Sequence, residues 1–420
     1  MNKVAIGVNQ KSNFIWNVIG ATLNAFNSLL FAIIVTRING INDAGIFSYS
    51  FATACVLYVI GIYLGRTFQV TDISSRYSDT DYIYNRIITC VLMILVAISF
   101  CIVKHYDIYK VAIFVLLCSF KAIEAFSEAI YAIIQRHEYL KLVGKSMALK
   151  AIISVLAFFI IDIISKNLII ACISICIINF LILVFYDIKN AKMLGIQKTR
   201  FSSSANKTLL KIGFYTFALT FLSQYIINAS RYAIDDLLTD DLQTIFGIII
   251  MPATFMGLLG QFIIQPILVK LTNYIKEKEY DCLKKLILQV IAIIIALGIV
   301  GIVGAYFLGI PILEFIYGIE LSKYFYCLMI IIVGSILYSL ELFISTVLIA
   351  MRKTCIQAIM YLLVAILSTI IAYKLVALFE VLGASISYFI TMLLIALILF
   401  IYMLIGIKKC EKNEDKKLLL

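Results

Sequence analysis

Charge is scarce in this sequence. Only 14% of the 420 residues are Asp, Glu, Lys or Arg, whereas a soluble globular chain carries about 25%. Apolar residues make up 63% of the chain, and its mean hydropathy is +1.05. The polar surface is too small to cover a fold that faces water. This excludes a soluble enzyme, a secreted domain and a nucleic-acid-binding module.

Proline and histidine are also rare, with three and two residues respectively. Apolar runs of about 20 residues therefore continue unbroken, which predicts membrane-spanning helices and excludes the short alternating segments of a β-barrel. Neither histidine lies near other residues that could ligate a metal ion, and the ten cysteines lie mostly inside apolar runs. No glycine-rich phosphate loop occurs. We therefore expect no metal, no cofactor and no ATP-driven transport.

The apolar runs predict an all-α polytopic membrane protein with twelve transmembrane helices. The seventh and eighth runs are the most polar, and both are kept because omitting either would invert half of the chain. The predicted spans lie near 14–36, 45–66, 84–103, 111–135, 147–164, 168–186, 210–231, 242–267, 285–308, 323–350, 354–375 and 383–407.

The distribution of Lys and Arg predicts the orientation, because positive residues in short loops stay cytoplasmic. With the N-terminus inside, 27 of the 35 basic residues fall on the cytoplasmic side, seven fall outside and Lys121 lies within a span. Most of the net charge of +11 therefore reflects the excess of basic residues in the cytoplasmic loops. We expect a multi-pass protein of the bacterial cytoplasmic (inner) membrane with both termini cytoplasmic.

The longest gap between spans divides the twelve helices into two sets of six. It contains Lys198, Arg200 and a run of three serines. The expected organisation is an N-terminal lobe at 1–190 with helices 1–6, a cytoplasmic inter-lobe linker at 191–210, and a C-terminal lobe at 211–420 with helices 7–12 and a cytoplasmic tail.

The first span of each half carries polar residues that are aligned along one face of the helix. Steps of three and four residues place polar side chains on one side of each helix. Interhelical hydrogen bonding would explain one such face, but two at matching places favour a shared central cavity. The eighth span adds a polar face and a kink expected at Pro252. The polar residues include Asn24, Asn27 and Ser28 on the first span, Gln224, Asn228 and Arg231 on the seventh, and Gln261 and Gln265 on the eighth.

The fourth span carries the strongest local signal, with Lys121, Glu124 and Glu128 on one face. Each charge costs a few kcal/mol at mid-membrane. Lys121 and Glu124 can neutralise each other at three residues' separation, which leaves Glu128 without an opposite charge. Glu128 is then either an interfacial residue or a coupling or gating contact. Glu124 and Glu341, an acid deep in the tenth span, are further coupling or gating candidates.

Three arginines are candidates for lining a cavity. Arg231 continues the polar face of the seventh span and lies on the side where positive charge is disfavoured. Arg37 lies across its helix from Ser28 and can also extend to the membrane surface. Arg66 is either an ordinary positive-inside residue or a cavity residue. We expect Arg231 to be the most important of the three.

Two acidic patterns suggest enzymes. Asp79-Thr80-Asp81 fits the acid-x-acid pattern of many glycosyltransferases, but its loop has no room for a nucleotide-binding domain. Asp235-Asp236 with Asp240-Asp241 is similar to the aspartate-rich motif of intramembrane prenyltransferases, which need a second such motif that this chain lacks. We therefore expect a protein that is not an enzyme.

The chain resembles the polysaccharide transporters of the multidrug/oligosaccharidyl-lipid/polysaccharide exporter superfamily, specifically repeat-unit flippases of the Wzx type. The resemblance spans nearly the whole chain. Besides the twelve spans in two halves, it rests on residues 34–40 (IVTRING), 45–47 (GIF), 135–138 (QRHE), 229–235 (ASRYAID), 246–247 (FG) and 251–253 (MPA).

This resemblance implies two six-helix lobes around a central cavity and alternating access for an undecaprenyl-diphosphate-linked oligosaccharide. Arginine would hold the phosphates by forked hydrogen bonds, while Asn, Gln, Ser and Tyr would bind the sugars. The expected partners are this lipid-linked substrate, membrane lipids, and a polymerase or other polysaccharide-assembly proteins. The substrate-binding candidates are Arg231, Lys121, Arg37, Arg66, Asn24, Asn27, Gln224, Asn228 and Gln261.

Two alternatives stay open at this point. A cation- or proton-coupled drug exporter of the same superfamily would use Glu124, Glu128 and Glu341 to bind its cation. A membrane-embedded polymerase or ligase of the same glycans would carry a long external loop, whereas the longest external gap here is about 16 residues.

The charge asymmetry predicts the topology of the chain. Single cysteines introduced at Lys198 and Glu414 of a cysteine-free variant should react only with membrane-permeant reagents, and one at Asp240 should also react with an impermeant reagent from outside. Labelling of position 198 from outside would refute the six-plus-six arrangement.

Overall fold

The protein is described by a computed structural model that covers residues 10–72, 77–196 and 202–418. Among these residues the regular structure is helical throughout, with no strand. The expectation of an all-α polytopic membrane protein is confirmed. Residues 197–201, with Lys198 and Arg200 of the predicted linker, lie outside the described residues.

Two compact units divide the chain, Met1–Phe217 and Ala218–Leu420. The helices of the first unit are α1 (Gln10–Ile38), α2 (Ile41–Ile62), α3 (Gly65–Thr71), α4 (Asp79–Val103), α5 (Ile108–Arg136), α6 (Leu140–Ser165), α7 (Leu168–Ile182) and α8 (Lys189–Leu194). A π-helical segment, Leu183–Ile188, joins α7 to α8. The boundary between the units falls within α9 (Ser203–Leu237).

The second unit continues after α9. Its helices are α10 (Asp240–Ile249), α11 (Met251–Glu277), α12 (Tyr280–Gly304), α13 (Ile310–Tyr317), α14 (Phe325–Ala350) and α15 (Thr354–Leu418). A π-helical segment, Ala305–Gly309, joins α12 to α13, and a 3₁₀ turn, Ser322–Tyr324, precedes α14. α14 packs against α11, α12 and α15 and forms the middle of this unit.

Ten stretches of helix among the described residues are long and apolar enough to cross a membrane. α5 is not one of them, although its 29 residues are long enough to span, because it carries three charges near its middle. The 65-residue α15 is interrupted by a non-helical backbone at Glu380. A straight helix of that length would measure roughly 98 Å, three times the ~30 Å hydrocarbon core. Counting α5 and both parts of α15 gives the twelve predicted spans.

Helix ends follow ordinary capping chemistry. Ser78 and Asp81 form a capping box at the start of α4, with the Asp81 carboxylate accepting from the Ser78 backbone N–H at 3.0 Å. Asp79 forms an ion pair with Arg136 at the end of α5. Both acids of the Asp79-Thr80-Asp81 pattern thus have structural roles at a helix terminus.

The break expected at Pro252 is present. The helix is interrupted at Ile250, and Pro252 lies in the first turn of α11, where its missing N–H needs no partner.

The membrane helix α4 has one buried face, which includes small and polar residues, and one exposed face of large apolar residues. On α4, Thr89, Met93 and Ala97 follow four-residue steps along the buried face, whereas Val91 and Leu95 lie on the opposite, exposed face. Such a distribution suits a lipid solvent, because close packing and hydrogen bonding hold helices together where water is absent.

α1 and α6 touch backbone to backbone through two glycines. A Cβ built on Gly20 would lie 2.2 Å from the Gly144 carbonyl oxygen, and one on Gly144 would lie 2.1 Å from the Trp16 carbonyl oxygen. The side chain of Asn13 on α1 also accepts from the Lys141 backbone N–H at 2.8 Å, in the first turn of α6. This close contact sets which face of α1 turns toward the rest of the first unit.

Candidate functional site

The charged face of α5 lies inside the first unit. The Lys121 ammonium is 2.8 Å from Glu124, so the local pair predicted from their spacing is present. Asn24 of α1 donates a hydrogen bond to the other Glu124 oxygen at 3.1 Å. The polar faces of α1 and α5 therefore meet at Glu124.

Three aromatic rings surround the Lys121 ammonium. Its nitrogen lies 4.9 Å from the centre of the Phe51 ring, 5.4 Å from that of Phe120 and 5.6 Å from that of Tyr58. Distances below about 6 Å allow attraction between a cation and the faces of aromatic rings. Phe51 and Tyr58 belong to α2, so this helix supplies an aromatic wall opposite the polar face of α1.

A cavity of about 210 Å³ opens between these helices. Asn24, Asn27 and Ser28 of α1 line it together with Phe51, Phe120, Lys121 and Glu124. The structure thus brings together four of the predicted site residues, Asn24, Asn27, Lys121 and Glu124. Arg37 is exposed at the end of α1 and is not among the residues that line this cavity.

Glu128 has an ion-pair partner that the sequence did not reveal. Its carboxylate lies 3.5 Å from the guanidinium of Arg66 on α3. Tyr63 ends α2 with a φ of 34°, and Gly65 continues the chain with a φ of 67°, so α3 starts in a new direction. This turn between α2 and α3 carries Arg66 to α5. The expectation that Glu128 lacks an opposite charge is wrong.

The Nη1 atom of Arg66 is buried and has no hydrogen-bond partner among the residues that the structure describes. Arg86 of α4 donates from its own Nη1 to the Gly61 carbonyl at 2.7 Å. The hydrogen bond from Arg86 stabilises the carbonyl of Gly61 near the end of α2. The Arg66 side chain as a whole is 26% exposed, so part of it stays accessible while it pairs with Glu128.

A second buried ion pair connects α6 to the π-helical segment Leu183–Ile188. The Lys150 ammonium lies 2.6 Å from Asp187, 2.6 Å from the Ser127 hydroxyl and 3.1 Å from the Tyr131 hydroxyl. Tyr131 in turn shares a hydrogen bond with Ser146 at 2.9 Å. These five residues join α5, α6 and the π-helical segment.

Lys150 is one of the 27 basic residues counted on the cytoplasmic side, at the start of the predicted span 147–164, and the structure shows that it is buried instead of facing water. α6 begins at Leu140, so Lys150 lies three turns inside the helix and is buried. A Lys or Arg near the predicted end of a span fits the positive-inside rule whether it faces water or a buried acid. One feature of the sequence could have indicated a buried position for Lys150. An acid that can pair with it, Asp187, lies at the end of the sixth predicted span.

In the second unit, Arg231 of α9 is buried with 8% of its surface exposed. Its guanidinium lies 5.9 Å from the centre of the Phe246 ring on α10. Asn228, one turn earlier, donates to the Gln224 backbone carbonyl at 2.9 Å. Gln261 of α11 is exposed, and the side chain of Gln265 lies outside the described residues.

Glu341 is buried in α14 and accepts a hydrogen bond from the Tyr361 hydroxyl of α15. Nearby, Gln357 donates to the Ser345 hydroxyl at 2.6 Å. No cation lies within ion-pair distance of Glu341 among the residues that the structure describes. Glu341 therefore differs from Glu124 and Glu128, which both have cationic partners.

Comparison with known proteins supports the resemblance to the exporter superfamily. No protein-family model matches the chain. The chain is 25% identical over 403 residues to a capsular polysaccharide biosynthesis protein, CapF, of Staphylococcus aureus, covering 93% of this chain and 98% of that protein.

Among solved structures, an inward-facing multidrug resistance MATE family transporter of the MOP superfamily matches with a TM-score of 0.73 and 12% identity, covering 94% of this chain and 99% of that one. A MOP superfamily transporter from Pyrococcus furiosus, whose binding pocket is described as having reverse polarity, matches with a TM-score of 0.62 and 15% identity, covering 98% and 100%. The predicted resemblance to this superfamily is confirmed, and the solved structures that share the fold are transporters.

The pair between Lys150 and Asp187 generates a stability prediction. Removing one partner leaves the other as an uncompensated buried charge, which costs ~3–5 kcal/mol. Lys150→Met and Asp187→Leu should each lower the melting temperature and the yield of the detergent-solubilised protein. The double variant Lys150→Met/Asp187→Leu should recover most of the loss.

Lys284→Met provides the control for this prediction, because Lys284 pairs with Glu411 at an exposed position. It should melt like the unaltered protein, since surface pairs contribute little. Strictly additive losses in the double variant would contradict the assigned pair.

Proposed function

We propose that this protein is a flippase that moves undecaprenyl-diphosphate-linked oligosaccharide repeat units across the cytoplasmic membrane by alternating access. The observation that carries the proposal is the cavity of the first unit, where a charged face of α5 meets an amide-rich face of α1 and an aromatic wall of α2. The similarity to a capsular polysaccharide biosynthesis protein supports a glycan-related cargo.

The cavity chemistry favours a sugar over an organic cation. A drug exporter that binds cations needs an acid free to receive positive charge, but Glu124 already pairs with Lys121, and Glu128 with Arg66. Amides, hydroxyls and paired charges instead supply both donors and acceptors, which sugar hydroxyls require. The cation-coupled exporter therefore remains the second candidate, with Glu341 as its remaining acid without a cationic partner among the described residues.

The substrate diphosphate needs donors with a planar fork. Arg231 is our principal candidate, with Arg66 and Lys121 as further contacts and Arg37 at the outer end of α1. Arg66 suits this role because its side chain is 26% exposed while it pairs with Glu128, so part of it stays accessible to a ligand. Gln224, Asn228 and Gln261 would contact the glycan. The proposed arrangement has two six-helix lobes, both termini in the cytoplasm, and no enzymatic step.

Arg231 provides the test of the diphosphate assignment. In a strain that lacks this protein, lipid-linked repeat units should accumulate on the cytoplasmic leaflet, and the unaltered protein should clear them. Arg231→Lys should export partially, because it keeps the charge and loses the fork. Arg231→Ala should lose roughly tenfold or more, since a hydrogen bond to a charged group contributes ~1.5–3 kcal/mol.

Two outcomes would count against these assignments. Normal export by Arg231→Ala would show that Arg231 does not bind the diphosphate. A deletion strain that assembles its polymer normally, with no accumulated lipid-linked repeat units, would refute the flippase function itself.

Glu128 is proposed as a coupling or gating contact, because its pair with Arg66 joins α5 to α3 after the turn that ends α2. Glu128→Gln keeps the hydrogen-bonding shape and removes the charge. It should change the rate of export or its pH dependence while protein abundance stays nearly intact. Glu277→Gln, at the exposed end of α11, is the matched control and should leave both unchanged. Reduced abundance with unchanged export per molecule would instead assign Glu128 a purely structural role.

A further inference from the structure

The cavity of the first unit is small compared with the lipid-linked oligosaccharide proposed as the substrate. Its volume is about 210 Å³. Pockets for drug-sized ligands measure ~300–1,000 Å³. This cavity is therefore smaller than such a pocket and has room for one small ring with its substituents.

The walls of the cavity differ from side to side. Phe51 and Phe120 present aromatic rings whose centres are 6.4 Å apart and whose planes differ by 37°. Asn24, Asn27 and Glu124 present amide and carboxylate groups from α1 and α5. A pyranose ring matches this arrangement, because its axial C–H groups form an apolar face and its hydroxyls project around the rim.

The charges inside the cavity cancel. Lys121 and Glu124 are in direct contact at 2.8 Å, and Asn24 holds the second carboxylate oxygen. An acidic sugar would bring its carboxylate against Glu124, and an amino sugar would bring its ammonium against Lys121. A neutral sugar meets donors and acceptors without either repulsion.

We propose that this cavity is a subsite for one neutral sugar residue of the transported glycan, a hexose or an N-acetylhexosamine. The proposal rests on the proposed flippase function for the source of the sugar. In the subsite, Phe51 and Phe120 bind the apolar face of the ring, Glu124 accepts from its hydroxyls, and Asn24 and Lys121 donate to its oxygens. The paired charges of Lys121 and Glu124 disfavour charged sugars, and they also form hydrogen bonds with a neutral sugar.

The full-length protein in lipid nanodiscs tests this proposal directly. Saturation-transfer NMR would compare three probes, methyl N-acetylglucosaminide, methyl glucoside and methyl glucuronide. The unaltered protein should bind the two neutral glycosides more tightly than the glucuronide. Phe120→Leu keeps an apolar side chain and removes the aromatic face, so the affinity for neutral probes should fall about threefold to tenfold.

Glu124→Gln gives the sharper result. It keeps a hydrogen-bond acceptor and leaves the charge of Lys121 uncompensated, so the preference should shift toward the glucuronide. Loss of folding alone would weaken all three probes equally. Phe159→Leu makes the same substitution as Phe120→Leu at an exposed position of α6 and should bind like the unaltered protein.

Binding and export separate the two proposals. The subsite is refuted if no neutral glycoside binds, if the glucuronide binds best to the unaltered protein, or if Phe120→Leu and Phe159→Leu bind alike. Any of these together with normal clearance of lipid-linked repeat units leaves the flippase function standing. If the glycosides bind as expected but the deletion strain does not accumulate those units, the sugar site is supported and the flippase function is refuted.

Discussion

The cost of placing charge in a hydrocarbon solvent governs the first unit. α5 carries a lysine and two glutamates near the middle of a membrane-length helix, and an unpaired charge there is expensive. Each of the three charges has an opposite partner within 4 Å, one supplied by α5 itself and one by α3. α1 contributes an amide, and α2 contributes aromatic rings. Three neighbouring helices, α1, α2 and α3, therefore supply groups that stabilise the charges of α5.

The local features of this arrangement could be predicted from the sequence, because they depend on helical spacing alone. Residues 121 and 124 are three apart, so their pairing follows from any helix that contains both. The three- and four-residue steps of Asn24, Asn27 and Ser28 likewise predicted a common face, and that face lines the cavity. Hydropathy was sufficient for the membrane class, and hydropathy together with the charge distribution predicted the number and approximate positions of the membrane helices.

The remaining features depend on where a helix ends or bends, which hydropathy does not encode. The pair between Arg66 and Glu128 exists because the chain turns at Tyr63 and Gly65. Lys150 was counted as a cytoplasmic cation because it lies in the first turn of a span predicted to start at 147, whereas α6 starts at Leu140 and places Lys150 three turns inside the helix. Asn228 lies on the predicted face of α9, yet its amide donates to its own helix. A pattern locates a face, but the partner across that face is a property of the tertiary structure.

The glycine contact between α1 and α6 separates two kinds of position on the same helix. Gly20 admits no side chain, because its backbone rests against that of Gly144. One turn further along, Asn24 lines the cavity and donates to Glu124, and a different side chain there would change the lining without moving the helix. Through this division, a family of such chains can diversify the cargo it recognises at the cavity positions while the frame around them stays constant.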